Sequence, residues 1–191
     1  TTAYNNAALK DIFLNNTAIL QSSASNTSPV STDFNFQDVS FTPRFGTSNQ
    51  EHISGIESSQ SINAVGVTVT NSAPVTRTIS NSDIDAVKVT VTFPQIQRAT
   101  DKGDILGSSV NLQIQIQYNG GGFTTLIDDT VTGRTADAYQ KEYRVNLTGS
   151  FPVDVKVVRV TADSTETSLL NAFEFTSFTE IIDDKQTYLN S

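Results

Sequence analysis

The chain has 191 residues, enough for one domain with an accessory segment, and only 17% of them are charged. With 12 basic against 20 acidic residues, a net charge of -8 and no basic cluster, it lacks the means to neutralise phosphates, which excludes nucleic-acid binding by that route. The absence of cysteine excludes disulfides and thiolate metal sites, and no apolar run nears the roughly 20 residues that a membrane helix needs. Ser, Thr, Asn and Gln are abundant, a profile that fits β-rich extracellular or virion proteins better than cytosolic enzymes. Because it begins at Thr1 and contains no methionine, the chain is expected to be a fragment or a processed product.

In chain order, residues 1–8 are a lead-in without pattern. Ile12, Phe13 and Leu14 then precede the turn formers Asn15, Asn16 and Thr17, with Ile19 and Leu20 behind them, so residues 9–20 predict a short hairpin, a helix being the alternative. Residues 21–32 are a Ser, Thr and Asn loop. Phe34, Phe36, Val39 and Phe41 change parity at Gln37 and Asp38, which predicts a turn or bulge rather than one straight strand, and residues 43–55 are irregular.

Alternation returns in Val65, Val67 and Val69, and a turn at residues 71–74 leads into residues 75–79. The pattern that organises the rest follows. Val87, Val89, Val91 and Phe93 alternate with Lys88, Thr90 and Thr92, and Leu112, Ile114, Ile116 and Tyr118 alternate with Gln113, Gln115 and Gln117. Only a pleated strand puts every second side chain on one face. Residues 86–118 therefore predict a central hairpin: Pro94 closes the first arm, Asp101, Lys102, Gly103 and Asp104 supply the turn, and Gly120, Gly121 and Gly122 mark the tip beyond the second arm.

Residues 123–131 predict a strand carrying Leu126 and Ile127, and residues 139–147 another, with Tyr143, Val145 and Leu147 on one face and Glu142, Arg144 and Asn146 on the other. Val153, Val155 and Val157 alternate with Asp154 and Lys156, but Val158 and Val160 carry the opposite parity, so either a bulge lies near Val157 or the strand is buried on both faces. Residues 161–172 show no strand signal, with room for one capped helical turn at residues 163–166. Phe173 and Phe175, then Phe178, Ile181 and Ile182, close the fold.

Roughly ten short strands separated by turn signals predict an all-β chain: an antiparallel β-sandwich, jelly-roll-like, with a less regular N-terminal strand-and-loop segment. The expected division is residues 1–60 as strands and loops packed on the main domain, residues 61–185 as the sandwich, and residues 186–191 as a tail. Val87, Val89, Val91, Leu112, Ile114, Ile116, Val145, Val155, Phe173 and Phe175 are the expected core.

Chemistry is sparse. A catalytic base would need a nucleophile and an orienting acid, and the single histidine, His52, has neither at a recognisable spacing. The pairs Asp128–Asp129 and Asp183–Asp184 are adjacent in sequence, so on a strand they point to opposite faces and do not confront each other across a cleft as glycosidase carboxylates do. Asp101 and Asp104 flank a glycine without the Asp-x-Asp-x-Asp run of a calcium loop, and the triple glycine lacks the Lys-Ser/Thr of a phosphate loop. Sequons begin at Asn15, Asn26 and Asn146, matches that chance supplies readily in a chain this rich in Asn and Thr. No catalytic, cofactor or metal residue is predicted. The one candidate contact surface is the amide face of Gln113, Gln115 and Gln117, whose side chains each offer donors and an acceptor; a merely solvated face is the simpler reading.

Several stretches together resemble the host-specificity protein J family, the tail tip proteins of long-tailed phages with lambda-like tails. They are LKDIFLNNTAIL at residues 9–20, FGTSNQEHISGI at 45–56, PVTRT at 74–78, DIDAVKV at 83–89, LQIQIQYNGG at 112–121, and RVTADSTETSLLNAFEFTSFTEIID at 159–183, followed by Lys185 and Gln186. The resemblance implies a non-enzymatic piece from the N-terminal part of a longer protein, located in the virion at the tail tip after a stage in the host cytoplasm. It implies a structural hub linking tail tube to receptor-binding fibre, trimeric in the full assembly and in contact with other tail tip and tail tube proteins. The isolated fragment is expected to be monomeric. From another class, the alternative is a carbohydrate-binding β-sandwich module, for which Tyr118 and Tyr139 are the aromatic candidates; the lack of Trp weighs against it.

Overall fold

The computed structural model describes residues 12–25, 29–37, 51–53 and 56–185. Two compact units divide the chain: Ile56–Asp183, and Thr1–Gly55 together with Asp184–Ser191. In the smaller unit β1 (Phe13–Leu14) pairs antiparallel with β2 (Thr17–Ala18). Asn15 and Asn16 join them at φ 49° and 63°. Two successive left-handed residues make the loop whose twist matches a tight hairpin, and asparagine tolerates that conformation. The predicted hairpin therefore forms over its described part; residues 9–11 lie outside the described residues. Ile19, Leu20 and Ala24 pack with Ile12, Phe34 and Phe36. A single 3₁₀ turn, Ser31–Asp33, carries the chain back, with the Val30 N–H donating to Asp33 Oδ2 at 2.9 Å. The parity change expected after Gln37 lies outside the described residues, as do Asn26 and most of residues 43–55.

The larger unit contains β3 (Glu57–Val69), β4 (Val75–Ile79), β5 (Ala86–Phe93), β6 (Gln97–Ala99), β7 (Ile105–Leu106), β8 (Ser108–Tyr118), β9 (Thr124–Gly133), β10 (Tyr139–Asn146), β11 (Val153–Arg159), β12 (Leu169–Leu170) and β13 (Phe173–Asp183). Two four-stranded sheets result, ordered β10-β5-β13-β3 and β4-β11-β8-β9, with every pairing antiparallel. Numbering their strands 1 to 8 along the chain, the sheets read 6-3-8-1 and 2-7-4-5. Each of the first four strands thus sits in the sheet opposite its predecessor, the jelly-roll order of two Greek keys.

The core lies between the sheets. All ten residues expected in it are buried, from Val87, Val89 and Val91 on one sheet to Leu112, Ile114 and Ile116 on the other. Removing a side chain of this size from water is worth about 1.5–3 kcal/mol, and no disulfide adds to it, since the chain has no cysteine. Phe93 and Phe173 meet at 5.5 Å between ring centroids. On β13 the inward parity shifts from Phe173 and Phe175 to Phe178 where the register with β5 slips between Phe175 and Ser177, and the same slip sits opposite Gly66 of β3, which adopts φ 61°.

Three expectations are corrected. Residues 86–118 are not a hairpin: β5 and β8 lie in opposite sheets and face each other across the core. The charged turn at residues 101–104 instead closes a smaller hairpin of β6 and β7 in a three-stranded sheet, β12-β6-β7. Alternation shows which face of a strand is apolar; it does not show which sheet the strand joins. At β11 neither a bulge nor double burial occurs, because the register with β8 runs unbroken from Val153 to Arg159 and Arg159 takes the fourth inward position. Val158 is half-buried and Val160 exposed. Finally, residues 163–166 form no helical turn; the segment runs on without regular structure to the short strand β12.

Arg159 is only 4% exposed. Its guanidinium donates to the Asn171 backbone oxygen at 2.7 Å and to Asn171 Oδ1 at 2.9 Å, its Nε donates to the Thr161 oxygen at 3.1 Å, and Asp163 lies 3.2 Å away. Asn171 in turn donates to the Ser109 oxygen at 2.9 Å, and Asp163 accepts the Asn71 N–H at 3.0 Å. Burial lowers the arginine pKa and the Asp163 charge partly offsets that. The network fastens residues 160–172 over one end of the sandwich, which is why a loop without strand signal holds one course.

Candidate interface

The outer face of the β4-β11-β8-β9 sheet carries the residues that the sequence singled out. Strand β8 keeps its period without interruption, so Asn111, Gln113, Gln115 and Gln117 all project away from the core and all are half-buried. The amides of Asn111, Gln113 and Gln115 bond with one another and with β9. Gln113 Nε2 donates to Asp128 Oδ2 at 2.7 Å, Asn111 Nδ2 to Asp128 Oδ1 at 2.7 Å, and Gln115 Nε2 to Gln113 Oε1 at 3.1 Å and to Thr125 Oγ1 at 3.2 Å. Asp128 is held below the usual carboxylate range, by the Asn111 bond first and the Gln113 bond second. Asn111, Gln113 and Gln115 are thus a linked row across two strands, not a set of independent solvated side chains.

Beside the row, Asp154 of β11 stands in register with Gln117, and Lys156 with Gln115. Asp154 accepts from Thr78 Oγ1 on β4 at 2.5 Å. Lys156 Nζ lies 3.7 Å from the centroid of the Phe123 ring. Lys156 is on β11 and Phe123 immediately precedes β9, the strands on either side of β8, so ring and ammonium meet across the amide row. The sequence reading missed this pair: Phe123 lies just before β9, and no pattern within one strand announces a partner two strands away.

Adjacent carboxylates do diverge, as expected for a strand. Asp128 serves the outer face, whereas Asp129 bridges to the opposite sheet, accepting from Lys141 Nζ and Tyr143 Oη of β10 at 2.6 Å each. Burial works against ionisation of Asp129, but the Lys141 and Tyr143 bonds outweigh it and hold the pKa low. Tyr143 is pushed well above its ordinary value, by burial first and then by Asp129. Asp183 pairs with Arg144 Nη2 at 2.6 Å, and Asp104 belongs to the turn, its N–H donating to Thr100 Oγ1 at 3.1 Å. His52 lies in the smaller unit and is half-buried. Among the described residues no group of three or more His, Cys, Asp or Glu is placed to hold a metal, and no helix is long and apolar enough to cross a membrane.

The two aromatic candidates for sugar stacking differ, Tyr118 being half-buried and Tyr139 44% exposed. Tyr118 packs against the core, its hydroxyl accepts the Thr148 N–H at 3.2 Å, and a side chain at Gly149 would run into its ring. Tyr139 stacks on Phe93 at 6.2 Å. Of the sequons, Asn15 sits at φ 49° in the β1–β2 turn, and Asn146 ends β10 with its side chain bonded to Arg144.

Comparison with known proteins settles the lineage. Residues 59–184 match the domain family described as Tip attachment protein J, FNIII-A domain. The chain belongs to the tip attachment protein J family. It is 32% identical over 152 residues to the Tip attachment protein J of Escherichia phage SECphi4, covering 78% of this chain and 13% of that protein. The match to the Tip attachment protein J of Escherichia phage SECphi27 is 25% identical over 181 residues, covering 94% of this chain and 14% of the relative. The chain therefore spans about one-seventh of the length of the curated J proteins it matches. Among solved structures, the CBM22-1 xylan-binding domain from Paenibacillus barcinonensis Xyn10C aligns at a TM-score of 0.35 and 5% identity over 73% of this chain and 90% of that one, too loose a likeness to carry an inference. The J domain's family name invokes fibronectin type III. In this chain the first two sandwich strands, β3 and β4, lie in opposite sheets, unlike the immunoglobulin-type order in which strands A and B share one.

Proposed function

We propose that this J-family chain is a structural module of the phage tail tip hub, linking the tail tube to the receptor-binding fibre region and performing no catalysis. Membership in the J family over most of the chain is the observation that carries the reading. In the full-length protein three copies surround the tail axis and contact other tail tip and tube proteins, after a stage in the host cytoplasm. The fragment alone is monomeric or self-associates only weakly.

Within that role the face of Gln113, Gln115 and Gln117 is the subunit contact. Linked amides present donors and acceptors at fixed positions without an exposed apolar patch, so the face stays soluble before assembly and remains able to hydrogen-bond after it. The carbohydrate-binding reading is weaker, because the Phe123 ring on this face is already engaged by Lys156 and Tyr118 is packed against the core.

Antibody raised to the isolated chain should decorate purified virions at the distal end of the tail. Virions that contain no such antigen would overturn the structural role. Gln115→Lys should reduce phage titre while leaving the melting temperature of the isolated chain unchanged; an unaffected titre would remove the amide face from the proposal.

A further inference from the structure

A single asparagine of the chain is followed by glycine, Asn119 before Gly120. The two form the centre of the tip that joins β8 to β9, at φ 45° and 74°, and the Gly121 N–H donates to the Tyr118 oxygen at 2.9 Å. Two left-handed residues inside one closing bond are the tight hairpin turn that an Asn-Gly pair adopts with least strain. The Asn119 N–H donates to the Pro152 oxygen at 2.8 Å, and both Asn119 and Gly120 are exposed.

The side-chain amide of Asn119 and the nitrogen beside it are both uncommitted. Among the described asparagines, only Asn15, Asn16 and Asn119 have side chains in no hydrogen bond; Asn71, Asn111 and Asn171, by contrast, donate to backbone or side-chain oxygens. The Gly120 N–H donates to no group among the described residues. After Asn15 and Asn16 the next nitrogens belong to Asn16 and Thr17, whose side chains crowd them. At Gly120 there is no side chain, and a Cβ placed there would find no atom nearer than Gln117 Nε2 at 3.9 Å.

We propose that Asn119 is a self-modifying site, converted by the Gly120 nitrogen to aspartate and isoaspartate. A base removes the Gly120 amide proton, and the nitrogen attacks Asn119 Cγ. The new C–N bond closes a five-membered imide, while the Cγ–Nδ2 bond breaks and that nitrogen takes a proton and leaves as ammonia. Water then opens the imide: attack at Cγ gives aspartate, and attack at the main-chain carbonyl gives isoaspartate, in which the chain continues through the side chain. Ring closure needs Cγ and the Gly120 nitrogen on the same side of the Asn119 Cα–C bond, which the left-handed turn does not allow, so the tip must first open. Exposure and the run Gly120, Gly121 and Gly122 place that opening among the least costly in the fold. Either product adds a negative charge two residues beyond Gln117, whose register partner Asp154 is already a carboxylate. Isoaspartate also lengthens the main chain by one atom, so the turn closed by Gly121 and Tyr118 no longer fits. The chain thus ages at one defined place, and this chemistry stands whether or not the amide face is a contact.

The test incubates the whole folded chain in mildly alkaline buffer made with oxygen-18 water and maps its peptides by mass spectrometry, beside the same chain unfolded in urea. Asn119 should exchange its side-chain nitrogen for one labelled oxygen and resolve into two isomers, ahead of Asn15 and Asn16. Conversion in the folded chain should be slower than in the unfolded chain by no more than about tenfold, as for other fraying tips, and should speed up as pH rises. Asn119→Gln, which would have to close a six-membered ring, should release no ammonia from this position. A folded chain slower than that limit, Asn15 or Asn16 converting first, a rate indifferent to pH, or aspartate without isoaspartate, the mark of direct hydrolysis, would each overturn the proposal.

Discussion

Along one margin of the sandwich, where β9 of one sheet meets β10 of the other, Asp129 takes bonds from both Lys141 and Tyr143 and ties the sheets together. The opposite margin is built differently: β3 is long and uncharged from Ser58 to Val69, and leaves Ile62 in solvent. The first margin spends its polar groups on holding the fold, so little remains for a partner. The second holds to the fold through the long antiparallel pairing of β3 with β13, with Val69 in the core. The two margins of one jelly roll are thus held by different means, one by charged and hydroxyl groups between the sheets and one by an uncharged strand ladder.

Substitutions rank the two margins against the core beneath them. Phe175→Ala should cost about 3–5 kcal/mol by denaturant unfolding, because the ring is fully buried between the sheets. Arg159→Ala should cost about 2–4 kcal/mol, leaving a cavity and depriving the two Asn171 oxygens of their Arg159 donors. Arg159→Met should restore part of the packing and none of the bonds. At the closed margin, Asp129→Ala should cost about 1–2 kcal/mol, since the Lys141 pair is partly screened by solvent. A double-mutant cycle with Lys141→Ala checks that the loss is shared. At the uncharged margin Ile62→Lys should change stability by no more than about 0.5 kcal/mol, because the side chain is exposed. An Ile62→Lys cost as large as that of Asp129→Ala would erase the contrast.

Titration separates the margins as well. The Asp129 pKa is depressed in the folded chain, so its stabilisation is present above the unfolded value of about 3.9 and is lost as pH falls through the folded value. The Tyr143 pKa is raised, so its contribution is present below about pH 10 and is lost as pH rises beyond it. Thermal melts across pH should show both limbs in the parent chain, and Asp129→Asn should flatten the acid limb. Ile62→Lys should leave the acid limb intact.

How much of this was legible in the sequence follows from how local each signal is. Val87 to Phe93 and Leu112 to Tyr118 announce their buried faces because a strand's period is contained in a few residues, and Asn15–Asn16 announces a hairpin because turn chemistry is local too. The partners of those strands are not local. Nothing in residues 86–118 says that β5 and β8 face each other instead of pairing, and nothing in Val158 and Val160 says that Arg159 will take the inward place. Arginine goes in because Asn171, Thr161 and Asp163 supply its hydrogen bonds, groups that only the folded end of the sandwich brings together. The amide row was visible as three alternating glutamines, but its anchoring on Asp128 and Thr125 needed the β8–β9 register. The uncharged edge of β3 was readable residue by residue; that it is an edge was not.

The most direct test of a structural place in the tail tip is a reconstruction of the tail of a phage carrying this chain, at a resolution that traces strands. The account predicts the two four-stranded sheets at the distal end of the tube, with the face of Gln113, Gln115 and Gln117 against a neighbouring subunit. A tail tip without this domain, or one in which the domain hangs free with that face in solvent, would contradict it.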